Sequence, residues 1–389
     1  MTAVLATAGL LVLFGLSASA VMAWCTRRRV RAATPSAPPV FPPVSILKPV
    51  RGVDADFEAN LESLYALDYP EFEIIVGSED PGDPALDLAR RVSARHPRIR
   101  TVFVGDPTAV GWNPKVNNLA NIARRASHET LLISDSNIRV GPGYLKDLVA
   151  RLAREDAGLV WSLFRAAGAS GLGGHLEALQ LHVFVAGGMS ALAALGGRPG
   201  AIGKSMLLRK ADLQAIGGFE YLSRFLAEDT VCAEELSARG RPVVVSGYLI
   251  DNVLGRRTVK DFAARHLRWA RLRRHLSLPG YLGELLLNPV FIAVAAAAAT
   301  RVEEAVVLAG AALLGMSAVD AAAERALGIR RPWWHYPFLE LLLSLIKGVL
   351  WAVPLLSSTA VWRGHTLRIG PRTAIEQEAE AVLAGSPRP

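Results

Sequence analysis

Two cysteines, Cys25 and Cys232, are all that the 389 residues carry. That is too few for a disulfide framework or a zinc site, and it suits a reducing, cytosol-facing compartment. Charge is also scarce. Asp, Glu, Lys and Arg make up 20% of the chain, against about 25% in ordinary soluble domains. No Gly-rich phosphate loop of the P-loop or dinucleotide type occurs, so any phosphate must be met by a metal and basic side chains.

Apolar residues, in contrast, are abundant. They form 51% of the chain, and the mean hydropathy is +0.28. This excludes a disordered chain and argues against a purely soluble one. The net charge of +8 does not by itself indicate nucleic acid, because an anionic membrane surface or a nucleotide phosphate attracts the same residues.

The apolar residues have definite places. Residues 3–24 are uncharged, long enough for a membrane helix, and followed by Arg27, Arg28, Arg29 and Arg31. A cleaved signal carries its positive charge before the apolar core, so this pattern predicts an uncleaved anchor with the following chain in the cytoplasm. Three further apolar runs lie at about 281–300, 304–322 and 338–360. Arg265, Arg268, Arg271, Arg273 and Arg274 precede the first, and Arg325, Arg330 and Arg331 lie between the second and third. Both clusters can be inside if the turn at 301–304 is outside. That leaves the tail outside with Arg363, Arg368 and Arg372, against the positive-inside pattern, so the sequence leaves the number of crossings open.

Between these segments the pattern changes. Short apolar runs at 44–47, 72–76, 101–104 and 130–133 alternate with helical spacings at 56–67, 84–95 and 115–126. This predicts an α/β domain with a parallel sheet and helices on its faces. Ligands of such sheets bind beyond the carboxyl ends of the strands, where Asp80 and Asp135 fall.

Four segments carry candidate chemistry. Asp135-Ser136-Asn137 offers a carboxylate for a hard cation bridging a diphosphate, or simply a turn. Lys115 opens a helix in Asn113-Pro114-Lys115, where a cation is unfavourable to the helix dipole and a phosphate contact would explain it. Glu228-Asp229 can host a base with a raised pKa, or supply acids to a first helical turn. Arg265, Arg268 and Trp269 lie in a basic amphipathic helix near 259–275, suited to clamping a diphosphate or to resting on lipid head groups. Residues 176–198 are strongly apolar, and read as a core helix or as an acceptor-lining, membrane-dipping segment.

The order of these motifs resembles the ceramide glucosyltransferases, the family 21 glycosyltransferases. The segments that carry the likeness are Val44 to Asp54 (VSILKPVRGVD), Asn60 to Leu64 (NLESL), Leu67-Asp68-Tyr69-Pro70, Glu79-Asp80, Asn113 to Leu119 and Asp135 to Val140 (DSNIRV). Gly203-Lys204-Ser205-Met206, Ala227-Glu228-Asp229 and Arg265 to Trp269 (RHLRW) complete it. The resemblance implies a GT-A type nucleotide-sugar-binding domain that inverts at the anomeric carbon, with an N-terminal membrane anchor and C-terminal transmembrane helices. It implies Asp229 as general base, with Arg265, Arg268 and Trp269 near the diphosphate and acceptor. Lys48, Asp80, Lys115 and Asp135 are implied on the donor side, Asp80 toward the uridine and Asp135 toward a Mg²⁺ or Mn²⁺ ion. Asn137 departs from a full Asp-x-Asp.

The expected layout is an anchor at 1–25, a Pro- and Ala-rich linker at 26–43 and a cytosolic GT-A domain at 44–257. An interface helix at 258–276, transmembrane helices at 277–362 and a tail at 363–389 follow. The expected activity is transfer of a hexose, most simply glucose from UDP-glucose, to the primary hydroxyl of ceramide. The alternatives are another UDP-sugar such as UDP-GlcNAc on a hopanoid or other membrane lipid, and a non-catalytic nucleotide-sugar-binding scaffold. The implied partners are the UDP-sugar, the lipid acceptor and membrane lipids, with no nucleic acid. The expected location is a membrane, as in a bacterial inner membrane, with the catalytic domain cytoplasmic.

Overall fold

The computed structural model describes residues 2–362 and 365–376. The chain divides into two compact units. One comprises residues 25–170 and 188–256. The other gathers residues up to 24, 171–187 and those from 257 onward.

The first unit is built on an eight-stranded mixed sheet. Its strands are β1 (Val44–Pro49), β2 (Phe72–Ser78), β3 (Thr101–Gly105), β4 (Thr130–Ser134), β5 (Ile138–Arg139), β6 (Leu159–Ala167), β7 (Ser205–Arg209) and β8 (Val243–Val253). They stand in the order β3-β2-β1-β4-β7-β6-β8-β5. The four strands legible in the sequence form the parallel half, β3-β2-β1-β4. The sheet is not parallel throughout, because β7 runs antiparallel to both β4 and β6. The reversal decides the site: an antiparallel β7 starts where β4 ends, and the pairing of Ser134 with Ser205 sets Lys204 beside Asp135.

β1, β2 and β4 are buried almost throughout, as expected for strands covered on both faces. The helix Phe57–Tyr65 turns Phe57, Leu61 and Leu64 inward, at the helical spacing i, i+4 and i+7. The helix Pro114–Ala123 begins on Asn113, whose side-chain oxygen accepts from the N–H of Lys115 (3.0 Å) and Val116 (3.3 Å), with Pro114 filling the first helical position. This helix presses against β2 at Gly77, where a Cβ would overlap the Ile122 side chain. Asn118 donates to the Gly77 carbonyl at 2.7 Å, fixing the contact.

The second unit is helical. Among the described residues, four helices are long and apolar enough to cross a membrane: Thr2–Val30, Gly171–Ala194, Glu303–Ala326 and His335–Leu356. A fifth span arises if the pair Leu278–Leu287 and Pro289–Thr300, bent by 70°, is counted as one. The break falls at Asn288, whose side chain caps Phe291 N–H at 3.3 Å while Pro289 brings no N–H of its own. The apolar run expected to reach residue 360 ends earlier, at Leu356, and a small three-stranded sheet follows: β9 (Thr359–Trp362), β10 (His365–Ile369) and β11 (Ile375–Glu376). Arg363 and the tail beyond residue 376 lie outside the described residues. Leu176, Leu179, Val183, Phe262, Val290, Met316, Tyr336 and Leu343 form this unit's main core.

Candidate active site

In the sheet unit, β4, β7 and the N-terminal ends of two helices converge on Asp135. One Asp135 carboxylate oxygen lies 3.0 Å from Lys115 Nζ and the other 3.0 Å from Lys204 Nζ. Lys115 also lies 3.1 Å from Glu228 and donates to the Gly203 carbonyl at 3.1 Å. Lys204 donates to the Asn137 side chain at 2.9 Å, and Asn137 is braced by Asn252 at 2.8 Å. Thus Asn137 serves the site by positioning a lysine. From below, fully buried Lys48 donates to the Asp135 backbone carbonyl at 2.7 Å.

Asp229 is the second residue of the helix Glu228–Ala238. Its two oxygens accept from the backbone N–H groups of Gly203 (2.6 Å) and Thr230 (2.7 Å), which fix the plane of the carboxylate. Gly203 is needed for this approach, since a Cβ there would lie 2.8 Å from Lys115 Nζ and 3.2 Å from the Asp229 carboxylate. Asn113, besides capping its helix, donates to the Phe225 carbonyl (2.7 Å) and to Glu228 (3.3 Å), tying the two helix starts together.

These neighbours separate the proton affinities of the acids. Burial works to raise the Asp135 carboxyl, but Lys115 and then Lys204 outweigh it and hold Asp135 below the usual carboxylate range. Burial and the adjacent Glu228 push Asp229 up to about 6, against the opposing pull of Lys115 and the two backbone donors. Burial brings Lys48 down to about 7 despite the attraction of Asp135 and Asp54. Lys115 goes the other way: burial alone would lower it, but Asp135, Glu228 and Asp229 together raise it, so it stays cationic. One acid kept ionised and a neighbour poised near 6 is the division of labour that acid–base chemistry at neutral pH requires.

The sequence-predicted residues therefore divide. Lys48, Lys115, Asp135 and Asp229 form one connected cluster. Asp80 lies exposed after β2, with its carboxylate accepting from Gly82 N–H at 2.8 Å. Arg265, Arg268 and Trp269 belong to the helical unit, on the helix Val259–Leu276. There Arg265 lies 3.0 Å from buried Glu177, which also meets Arg257 at 3.0 Å, and its guanidinium lies 4.9 Å from the centre of the Trp269 ring. Lys204 and the braces Glu228 and Gly203 complete the site. Lys204 stands in a segment that carries the family likeness, but its place beside Asp135 had no local signal, because only the antiparallel register of β7 brings the two together.

A divalent ion is the group that this chemistry implies. Among the described residues, no three His, Cys, Asp or Glu side chains gather to hold an ion unaided. Asp135 nevertheless draws a cation to each of its oxygens, and Mg²⁺ sites commonly use one or two carboxylates and complete their shell with substrate phosphates and water. The residues fit an ion that Asp135 would hold, with a substrate diphosphate and water completing its shell.

Residues 7–375 match the profile of Glycosyl transferase family 21. The chain belongs to this family. It is 31% identical over 241 residues to ceramide glucosyltransferase 1 of Caenorhabditis elegans, an alignment covering 60% of this chain and 50% of the relative. It is 37% identical over 121 residues to the ceramide glucosyltransferase of Komagataella phaffii, covering 30% and 24%. The chain thus spans about half or less of the length of these relatives. Among solved structures, a mannosyltransferase from Pyrobaculum calidifontis in complex with GDP-Man and Mn²⁺ superposes with a TM-score of 0.52 at 18% identity, over 89% of this chain and 99% of that one. This likeness establishes the GT-A type fold of the family 21 chain.

Proposed function

We propose that this family 21 glycosyltransferase moves a hexose, most simply glucose, from a UDP-sugar to the primary hydroxyl of ceramide, with inversion. The observation that carries the proposal is the Asp229 carboxylate, fixed by two backbone N–H groups and poised near 6, in a cluster with Lys115, Asp135 and Lys204. The names of the relatives supply the sugar and the lipid.

In this reading Asp229 accepts the proton of the lipid hydroxyl as that oxygen bonds to the anomeric carbon. The bond from that carbon to the diphosphate breaks on the opposite face, and UDP leaves with the electron pair. A divalent ion held at Asp135 with the diphosphate supplies neutralisation of the leaving charge. Lys115 and Lys204, both beside Asp135, add positive charge at the same place. Lys48 anchors the Asp135 backbone from the buried side. Asp80 takes the uridine side of the donor, and Arg265, Arg268 and Trp269 take the contacts to diphosphate and acceptor that the family likeness implies. The run Arg27 to Arg31, following the apolar N-terminal helix, favours a cytoplasmic catalytic unit in a membrane enzyme.

The test is an assay of the purified full chain with radiolabelled UDP-glucose, UDP-galactose and UDP-GlcNAc against ceramide, hopanoid and diacylglycerol. A glucosylated ceramide supports the proposal. A labelled hopanoid replaces the acceptor, and no lipid product from any pair overturns the enzymatic reading.

A further inference from the structure

In the helical unit, one face of the helix Gly171–Gln180 meets the helix that carries the Arg265–Trp269 motif at three levels. Gly173, Glu177 and Gln180 stand at i, i+4 and i+7, which sets them on one side of their helix. Gly173 lies against the start of the helix Val259–Leu276, where a Cβ would come within 1.9 Å of the Thr258 carbonyl oxygen. Thr258 caps that start: its hydroxyl accepts from Asp261 N–H at 3.2 Å, and the Asp261 carboxylate accepts from Thr258 N–H at 2.9 Å. One turn on, Glu177 reaches Arg265. A turn beyond that, Gln180 is hydrogen-bonded to His266 Nδ1 at 2.8 Å. Phe262 packs with Leu176 and Leu179 in the core and closes the contact between the two helices.

Glu177 is the ionisable residue of this face. Its side chain is 4% exposed, and its helix is part of a segment apolar enough to span a membrane, where a carboxylate is costly unless it is paired. One of its oxygens lies 3.0 Å from Arg265 Nε and the other 3.0 Å from Arg257 Nε. Such a buried triad is a poor source of stability, because apolar side chains of the same volume serve as well or better. Its effect is on placement. Two guanidinium groups on one carboxylate stay close together, and they repel once the anion between them is neutralised.

Arg265 passes this order on. Its guanidinium lies 4.9 Å from the centre of the Trp269 ring, one helical turn away, so the place of one side chain sets the place of the other.

We propose that Glu177 is a positioning residue for donor binding, holding Arg265, and through it Trp269, in the arrangement that meets the diphosphate. The proposal rests on the reading of the chain as a UDP-sugar transferase with Arg265 at the diphosphate, and it adds the group that orients this arginine.

The experiment compares the binding of UDP and of UMP to the full chain in detergent micelles by calorimetry, since the two ligands differ by the outer phosphate. Arg265→Gln lowers the ratio of UDP to UMP affinity about tenfold. Glu177→Gln lowers it about tenfold as well, with UMP affinity within about twofold of wild type. The double variant shows no further loss, because a residue that acts through another adds nothing once the other is gone. A merely structural role for Glu177 predicts equal losses for UDP and UMP, and losses that add in the double variant. Either result overturns the proposal, and so does a ratio within about twofold of wild type in Glu177→Gln. Should Glu177→Gln fail to fold, Glu177→Asp decides, because it keeps the charge and withdraws it from Arg265. A ratio lowered by more than about twofold then supports the proposal, and a smaller change overturns it. The two readings fail separately. A wild type that binds neither nucleotide, or a ratio unmoved by Arg265→Gln, removes the donor reading itself. A ratio lowered by Arg265→Gln and unmoved by Glu177→Gln removes only the role of Glu177.

Discussion

Lys204→Met isolates one of the two ammonium groups on Asp135 without changing the length of the side chain much. At 3.0 Å and an effective dielectric constant of about 20, the gross attraction is about 5.5 kcal/mol. Both groups are largely removed from water, with side-chain exposures of 12% and 20%, so desolvation takes back more than half. A net loss of about 2 kcal/mol is expected, or about thirtyfold. If Lys204 works on the donor diphosphate, kcat/KM for the UDP-sugar falls by about that factor while the acceptor KM is little changed. A second consequence concerns Asp135 itself. Its folded pKa is depressed, so it contributes stability above its unfolded value of about 3.9 and loses it as pH falls through the folded value. Removing Lys204 raises the folded value, shrinks that window and moves acid unfolding to higher pH. Steady-state kinetics over donor concentration and an acid-unfolding curve read the two effects. A change in kcat/KM of less than about threefold with an unmoved acid transition would refute the account of this lysine.

Three further outcomes follow from the same geometry. Gly203→Ala forces a methyl between Lys115 and Asp229, so turnover should fall by about a hundredfold or more with the melting temperature lowered only slightly. Gly77→Ala drives a Cβ into Ile122 beneath the sheet, and should cost about 1–3 kcal/mol or more in denaturant unfolding. Chelation with EDTA should abolish transfer reversibly, with Mg²⁺ or Mn²⁺ restoring it; activity untouched by EDTA would assign the diphosphate charge to Lys115, Lys204 and arginine alone.

Much of the sheet unit was legible because its signals are local. Strands β1 to β4 are short apolar runs, ended by Pro, Gly or Asp, and Asp135 falls at the carboxyl end of β4 as the parallel pattern predicts. Lys115 showed itself through its awkward place at a helix start. What stayed hidden depends on long-range register. The role of Lys204, whose segment was named only for the family likeness, follows from β7 entering antiparallel, and Glu177 gains Arg257 and Arg265 from 80 and more residues away. Residues 176–198 announced only their apolarity.

The central claim is that Asp229 takes the acceptor proton. Its direct measurement is the pH dependence of glucose transfer from UDP-glucose to ceramide by purified wild type and Asp229→Asn, with UDP binding recorded on both. The base must be ionised, so wild-type kcat/KM should fall as pH drops through about 6. Asp229→Asn should bind UDP normally, lose at least about a hundredfold in turnover and show no limb in that range. An Asp229→Asn enzyme that keeps near-wild-type turnover and the same acid limb would contradict the account.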